Sequence, residues 1–320
     1  MKNYKINPML ATLLDEPFDS PDWIFEPKWD GERILAYFDG GDVVLVTRYF
    51  RKVGFRYPEI VEGLKKAVLA KQALLDGELV ALDSKNHPSF SMFQKRMGLN
   101  EKAEIKARMR EIPLYLYLFD TLSLNGKSTE NLSLLERKKL LKKTIKEQKH
   151  IKLTDYIVGS GKSFFRKCKN QGMEGIVAKK KDSIYQEGKR GKNWLKIKAV
   201  NQQEVVIGGY TKGTGSRVPY FGSLLLGVYE GKKLIFIGGT GTGFDEKILK
   251  ELTKKLKKLR TNECPFEGNP KIKDALWVRP KLVAQVKFQQ WTGKKMRIPV
   301  YLGLRDDKQP KEVHFEGLKK

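Results

Sequence analysis

Lys28 lies between two carboxylates in the stretch "IFEPKWDGERILAYF": Glu26 precedes it, Asp30 follows it, and Arg33 heads an alternating apolar run. Such a lysine is either an ordinary ion-paired surface residue or a nitrogen nucleophile. The second use needs the neutral amine, although a free lysine titrates near about 10.4. Four further segments bear on the choice. "LDGELVALD" alternates Asp76 and Glu78, which puts both on one face of a strand. "LYLFDTL" sets Phe119 beside Asp120 at a strand end, and in "MEGIVAKK" Glu174 opens an apolar strand that closes on Lys179. "WLKIK" puts Lys196 and Lys198 on one face of another strand. Each segment alone has a plainer reading as core or solvated edge. The combination and its order carry the signal.

The elements that must position these residues follow from periodicity. Residues 33–38 and 42–47 alternate around "DGGD" and predict a hairpin. Further strands are expected over 74–82, 113–119, 174–180 and 194–199. Helices are expected over 58–70 with Pro58 near the start, over 89–97, about 101–110, and over 134–148 with a strongly basic face. From residue 204 onward, short apolar runs separated by glycine-rich turns predict a small β-barrel interrupted by one helix at 245–260. The change of texture falls in "AVNQQ", giving expected domains of 1–199 and 200–320. The fold class is α+β.

Composition narrows the partners. The 320 residues carry 63 Lys and Arg against 37 Asp and Glu, a formal charge of +26, which points to a polyanion, nucleic acid before an anionic membrane surface. No apolar run approaches a membrane span, and the first residues lack a signal-peptide core, so the cell interior is the expected location. Cys168 and Cys264 are isolated, and His87, His150 and His314 are scattered, which argues against structural zinc or a disulfide framework. "GSGKS" at 159–163 lacks the leading glycine of a phosphate-binding loop and reads as a helix start at Ser160 or Ser163. "GGTGTGF" at 238–244 reads as a turn between strands.

The whole ordered set resembles the ATP-dependent DNA ligases of the covalent nucleotidyltransferase superfamily, most of all the ligase module of the bacterial and archaeal non-homologous end-joining enzyme. The likeness runs from "PMLATLLDEPFDSPDWIFEPKWDGER" through "PSFSMFQKRM" and "NLSLLERKKLL" to "GGYTKGTGSR", "FGSLLLGVY", "LWVRPKLVAQVKF", "QWT" and "LGLRDDK". It implies an adenylation domain with antiparallel sheets and flanking helices, followed by an OB-fold β-barrel. It implies a monomer that seals nicked duplex DNA with ATP and Mg2+ or Mn2+ in DNA repair, at the nucleoid, with or without a Ku-like end-binding protein.

The resemblance also implies roles. Lys28 would attack the α-phosphate of ATP to give lysyl-AMP, with a metal ion, Lys196 and Lys198 favouring the neutral amine. Glu26 would face the adenine and Phe119 would stack on it. Glu78 and Glu174 would serve ribose and metal. Arg33 and Arg48 would hold ribose and the 5′-phosphate of the nick, where guanidinium forks suit phosphate. Asp30 would serve strand sealing. Arg305, Asp307 and Lys308 would orient pyrophosphate, carried by a barrel that swings away for DNA to dock. Three places depart from the family pattern. Tyr49–Phe50 stand where Asn-Gly is usual, and Gln285 and Gln290 stand where glutamates are usual. Rival readings are an mRNA-capping-type guanylyltransferase, an RNA ligase, an NAD-dependent ligase, and a non-catalytic basic DNA-binding module. The barrel-end segments and "RDDK" favour a DNA ligase over the first. The NAD-dependent enzyme's extra N-terminal domain and zinc cysteines have no counterpart here, and intact Lys28 with its carboxylates argues against the last.

Overall fold

The computed structural model describes residues 5–199 and 201–316. The chain divides into two compact units, Met1–Ala199 and Val200–Lys320.

The first unit holds strands β1 (Leu10–Leu13), β2 (Ser20–Pro27), β3 (Glu32–Asp39), β4 (Asp42–Thr47), β5 (Gln72–Ala81), β6 (Leu114–Leu124), β7 (Lys127–Ser128), β8 (Ile151–Leu153), β9 (Ile157–Gly159), β10 (Gly175–Lys180) and β11 (Arg190–Lys198). Its helices are α1 (Pro58–Ala67), α2 (Phe90–Gln94), α3 (Lys102–Glu111), α4 (Leu134–Thr144) and α5 (Gly161–Asn170). One sheet runs β1-β11-β10-β2-β9. The other runs β4-β3-β5-β6-β7, with β8 parallel to β6.

Alternation decides what each face does. Ile34, Ala36 and Phe38 of β3, Leu75 and Leu79 of β5, and Leu114, Leu116 and Leu118 of β6 point to one side, where they bury Ile60 and Leu64 of α1 and Phe90 and Phe93 of α2. Phe25, Ile176, Ala178 and Ile197 of the other sheet pack on Cys168 of α5. The two remaining faces meet around Leu35, Leu74, Phe119, Leu122, Tyr185 and Trp194, together with Met9. β6 serves both of its faces because its ladder with β5 shifts register twice. Asp120 and Leu118 face consecutive residues of β5, as do Ser123 and Thr121, which leaves Phe119 and Leu122 as extra residues. Bulges of this kind re-aim side chains, and both extra residues join the inner cluster.

The hairpin forms at Gly40 and Gly41, whose φ values of 58° and 102° are those of the tight turn that glycine supplies freely. Pro58 occupies the first turn of α1. The helix expected over 134–148 stops at Thr144, because Ile145 bridges Val68 and Lys146 N–H donates to Ala67 O at 2.8 Å. Nor is its basic face wholly solvated: Arg137 and Lys138 are buried. α5 starts at Gly161 with Ser160 before it, and its free Lys162 N–H is taken by Asp19 Oδ1 at 2.9 Å, not by a serine.

The second unit holds β12 (Gln202–Lys212), β13 (Phe221–Glu230), β14 (Lys233–Thr240), α6 (Glu246–Lys258), β15 (Ala275–Lys287), β16 (Gln290–Thr292), β17 (Lys295–Arg297) and β18 (Val300–Leu304). Its sheet runs β14-β13-β12-β15-β18, and β16 pairs with β17 apart from it. The expected barrel is not closed by a ladder among the described residues. Where β14 and β18 would have to pair, Tyr301 N–H donates to Thr242 O at 3.0 Å and Thr240 Oγ1 to Pro299 O at 2.7 Å. "GGTGTGF" leads from β14 into α6, capped by Asp245, and so is a strand-to-helix connection instead of a turn between strands. α6 buries Leu249, Leu252 and Leu256 against the sheet. No described helix is long and apolar enough to cross a membrane.

Candidate nucleotidyl-transfer site

Lys28 follows directly on β2. Pro27 pairs with Ile176, and Lys28 N–H donates to Gly175 O at 2.9 Å, while Gly175 faces Lys198 across the next strand. Three strands therefore bring Lys28, Glu174 and Lys198 to one end of the sheet. The crossing is tight: Gly175 has φ 148°, and a Cβ there would lie 2.0 Å from Ile197 O, so only glycine fits. The Lys28 ammonium is hydrogen-bonded to the Glu174 carboxylate. Burial alone would lower its pKa, but Glu174, then Asp30 and Glu78, outweigh burial and hold it above the usual lysine value. In the free chain the amine is thus kept charged by the carboxylates around it.

Trp29 fixes the loop that carries Lys28. Its ring stacks on Tyr117 with centroids 3.7 Å apart, and its Nε1–H donates to Thr154 Oγ1 at 3.2 Å. Arg33 sits opposite Glu78 in the β3–β5 ladder and donates twice to Asp76, Nε to Oδ1 at 2.7 Å and Nη2 to Oδ2 at 2.6 Å. Asp76 is fully buried and also accepts from Tyr185 Oη at 2.8 Å. The Arg33 guanidinium lies 4.9 Å from the Phe119 ring centroid.

Glu26, at the end of β2, is buried and gripped by two lysines: Lys138 of α4, and Lys179 of β10 at 2.8 Å. Burial would raise the Glu26 pKa, yet the two ammonium groups bring it below the ordinary glutamate value. Lys179 lies over two aromatic faces, 4.2 Å from the Phe119 centroid and 4.0 Å from that of Trp194. Burial outweighs Glu26 for this lysine and brings it down to about 8. Arg137 forks onto buried Asp120 beneath the same wall.

In the first unit Glu174, Asp30 and Glu78 act on Lys28, and Arg33 lies against Phe119, whose ring also carries Lys179, the partner of Glu26. Lys196 and Lys198 stand two apart on β11, opposite Val177 and Gly175. Arg48 is placed beyond the end of β4, its guanidinium over the Tyr49 ring at 5.5 Å. Arg305, Asp307 and Lys308 belong to the second unit and are tied within it. Arg305 forks onto Asp307 at 2.8 and 2.7 Å, and Lys308 reaches Glu204 at 2.9 Å. Gln285 donates to Gln202 at 2.9 Å. Lys138, Tyr185, Trp194 and Trp29 are participants to which the sequence reading assigns no role, and Asp76, which that reading sets on one strand face with Glu78, proves to be the partner of Arg33. The alternation of Asp76 with Glu78 was the one local signal among them.

Comparison with known proteins agrees with this layout. The profile of the ATP dependent DNA ligase domain matches residues 8–198, and that of the ATP dependent DNA ligase C terminal region matches residues 217–308. The "Multifunctional non-homologous end joining protein LigD" of Mycolicibacterium smegmatis is 37% identical over 314 residues, 97% of this chain and 39% of that protein. The "DNA ligase" of Thermococcus fumicolans is 35% identical over 303 residues, 90% of this chain and 53% of that protein. The solved structure of "mycobacterial DNA ligase D complexed with ATP and MES" covers 96% of this chain and 97% of its own at 35% identity, with a TM-score of 0.69. The architecture is a nucleotidyltransferase domain followed by an OB-fold domain, its barrel partly open. The chain belongs to the ATP-dependent DNA ligase family, a family of enzymes. It spans about two fifths of the length of the LigD relatives and about half that of the archaeal ligase.

Proposed function

We propose that this chain seals 5′-phosphate/3′-hydroxyl nicks in duplex DNA with ATP, through lysyl-AMP on Lys28. The observation that carries the reading is the Lys28 amine seated on Glu174, with Asp30 and Glu78 acting on the same nitrogen. The nitrogen would attack the α-phosphate, so that a P–N bond forms as the P–O bond to pyrophosphate breaks. The 5′-phosphate of the nick would then take the AMP and free Lys28. Attack by the 3′-hydroxyl on that phosphate would expel AMP and close the strand. Before the first step the ammonium must lose its proton, and Glu174 is the group already hydrogen-bonded to it.

Glu78 and Glu174 both bear on one amine, a two-carboxylate setting that suits magnesium or manganese, which keep waters and phosphate oxygens as their other ligands. Glu78 and Glu174 would hold the metal, which when bound would supply positive charge against the phosphates. Arg33, held flat by Asp76, would present its remaining N–H groups to the ribose, and Phe119 would offer its ring to the adenine against Lys179. Arg48 would hold the 5′-phosphate of the nick, Asp30 would act in strand sealing, and Lys196 and Lys198 would neutralise phosphate. Arg305 and Lys308 are the cations the second unit offers to pyrophosphate. The end joining in the LigD relatives' names supports a place in end-joining repair. Duplex DNA as substrate, a Ku-like protein as partner and a location inside the cell belong to the same proposal.

The deciding measurement is transfer of label from α-labelled ATP to the chain. Wild type should form an acid-labile, alkali-stable adduct and seal a nicked duplex. Lys28→Ala should form none, yet still seal pre-adenylylated nicks at a reduced rate. Equal labelling of the two chains would sink the assignment.

A further inference from the structure

Six described residues other than glycine have positive φ, and four of them are Asn or Asp, which tolerate that conformation. Phe50, at φ 62°, is one of the other two. It carries an aromatic side chain on a left-handed backbone, where the family resemblance leads one to expect glycine. The residue is 39% exposed and joins none of the core clusters.

Its place in the fold is defined. Phe50 N–H donates to Thr47 O at 2.9 Å, Thr47 N–H donates to Arg51 O at 3.0 Å, and Val46 bridges Lys52. Arg48, Tyr49 and Phe50 therefore form the tip of a hairpin that extends β4. Thr47 pairs with Ile34, and the neighbouring Arg33 pairs with Glu78, so the tip leaves the sheet at the end where those two residues stand. The tip is also cationic. Arg48, Arg51, Lys52 and Arg56 accompany Phe50 in "TRYFRKVGFR", with no carboxylate in the run. Arginines that hold phosphates around an exposed ring that meets sugar and base form a nucleic-acid surface, because every base offers a π-face whatever its sequence.

We propose that Phe50 is a DNA-contacting residue that selects nicked over intact duplex. Its ring packs against the sugar and base beside the broken strand while Arg48 and Arg51 hold the flanking phosphates. The interrupted backbone at a nick is what lets a side chain reach that base. The inference rests on the ligase reading above and adds a recognition residue to it.

The test compares wild type, Phe50→Asn and Phe50→Trp in the full chain. Asn accepts the same φ without a ring, and Trp keeps an aromatic face. Three quantities are measured: binding to nicked and intact duplexes of one sequence at fixed salt, adenylate formation with ATP alone, and Tm. Loss of one base contact predicts at least about a fivefold weaker Kd of Phe50→Asn for the nicked duplex, with a smaller change on the intact one. Phe50→Trp should bind within about twofold of wild type and show quenched indole fluorescence on the nicked duplex. Adenylate formation and Tm should hold in both variants. Unchanged nick affinity in Phe50→Asn, or equal weakening on both duplexes, overturns the role of Phe50. So does a Tm drop of more than about 4 °C, which would mark a packing residue. Failure of wild type to adenylylate or to bind nicked DNA would instead bring down the ligase reading.

Discussion

Glu26 is the residue with the most to lose from a single substitution, because its carboxylate separates two buried ammonium groups, those of Lys138 and Lys179. Glu26→Gln leaves both without their counter-charge, and removing one partner from a buried ion pair costs about 3–5 kcal/mol. Lys179→Met should cost less. A Glu26–Lys138 pair remains, and Lys179, brought down to about 8, already holds its charge against burial. The pH dependence has a definite sign. Folding lowers the Glu26 pKa, so its contribution is complete above the unfolded value, near about 4.3, and fades as the pH falls through the folded value. Urea unfolding should therefore show a gap between wild type and Glu26→Gln that is widest near neutrality and narrows below about pH 4. A gap that grows on acidification would mean the carboxylate is not what the two lysines answer to.

At the scale of elements, the loop from β2 to β3 is held by the Trp29–Tyr117 stack and the bond to Thr154, and these set where the Lys28 amine points. A misplacement of about 1 Å can cost about a hundredfold in rate. Trp29→Ala should thus slow adenylylation by about ten- to a hundredfold with little change in KM for ATP, and Trp29→Phe should recover most of the loss. A pure KM effect would place Trp29 in nucleotide binding instead. Much of this level was legible in the sequence. The hairpin, α1, β5 and β10 follow from alternation, a proline and paired glycines, all of which act within a few residues. The bulges at Phe119 and Leu122 were not legible, since an extra residue is visible only against its partner strand. Nor was the fate of α4, where periodicity tells which side is polar but not that Arg137 and Lys138 find buried carboxylates on distant strands. The end of β14 likewise reads as a turn, because pairing between the first and last strands of a barrel is a long-range property.

For the whole molecule, internal ion pairs leave the formal charge of +26 untouched, because each pair takes one charge of either sign. Several lysines are neutralised inside the fold, among them Lys28 by Glu174 and Lys308 by Glu204, yet acidic residues number 37 against 63 basic ones. The surplus has to lie mainly on the surface, and α6 shows it, with Lys247, Lys250, Lys254, Lys255, Lys257 and Lys258 on one helix. A duplex bound by such a surface is held chiefly through its phosphates, which position it without reading its sequence. Each phosphate neutralised releases condensed counterions, so log affinity should fall linearly with log salt. For about 6–10 contacts the loss between about 50 and 200 mM is on the order of a thousandfold or more. Adenylylation by ATP alone makes few such contacts and should change far less over the same range. Binding isotherms at four salt levels, on a nicked duplex and on one of unrelated sequence, would separate the two processes. A flat response, or a strong preference for one sequence, would mean that the surplus charge serves a partner other than DNA.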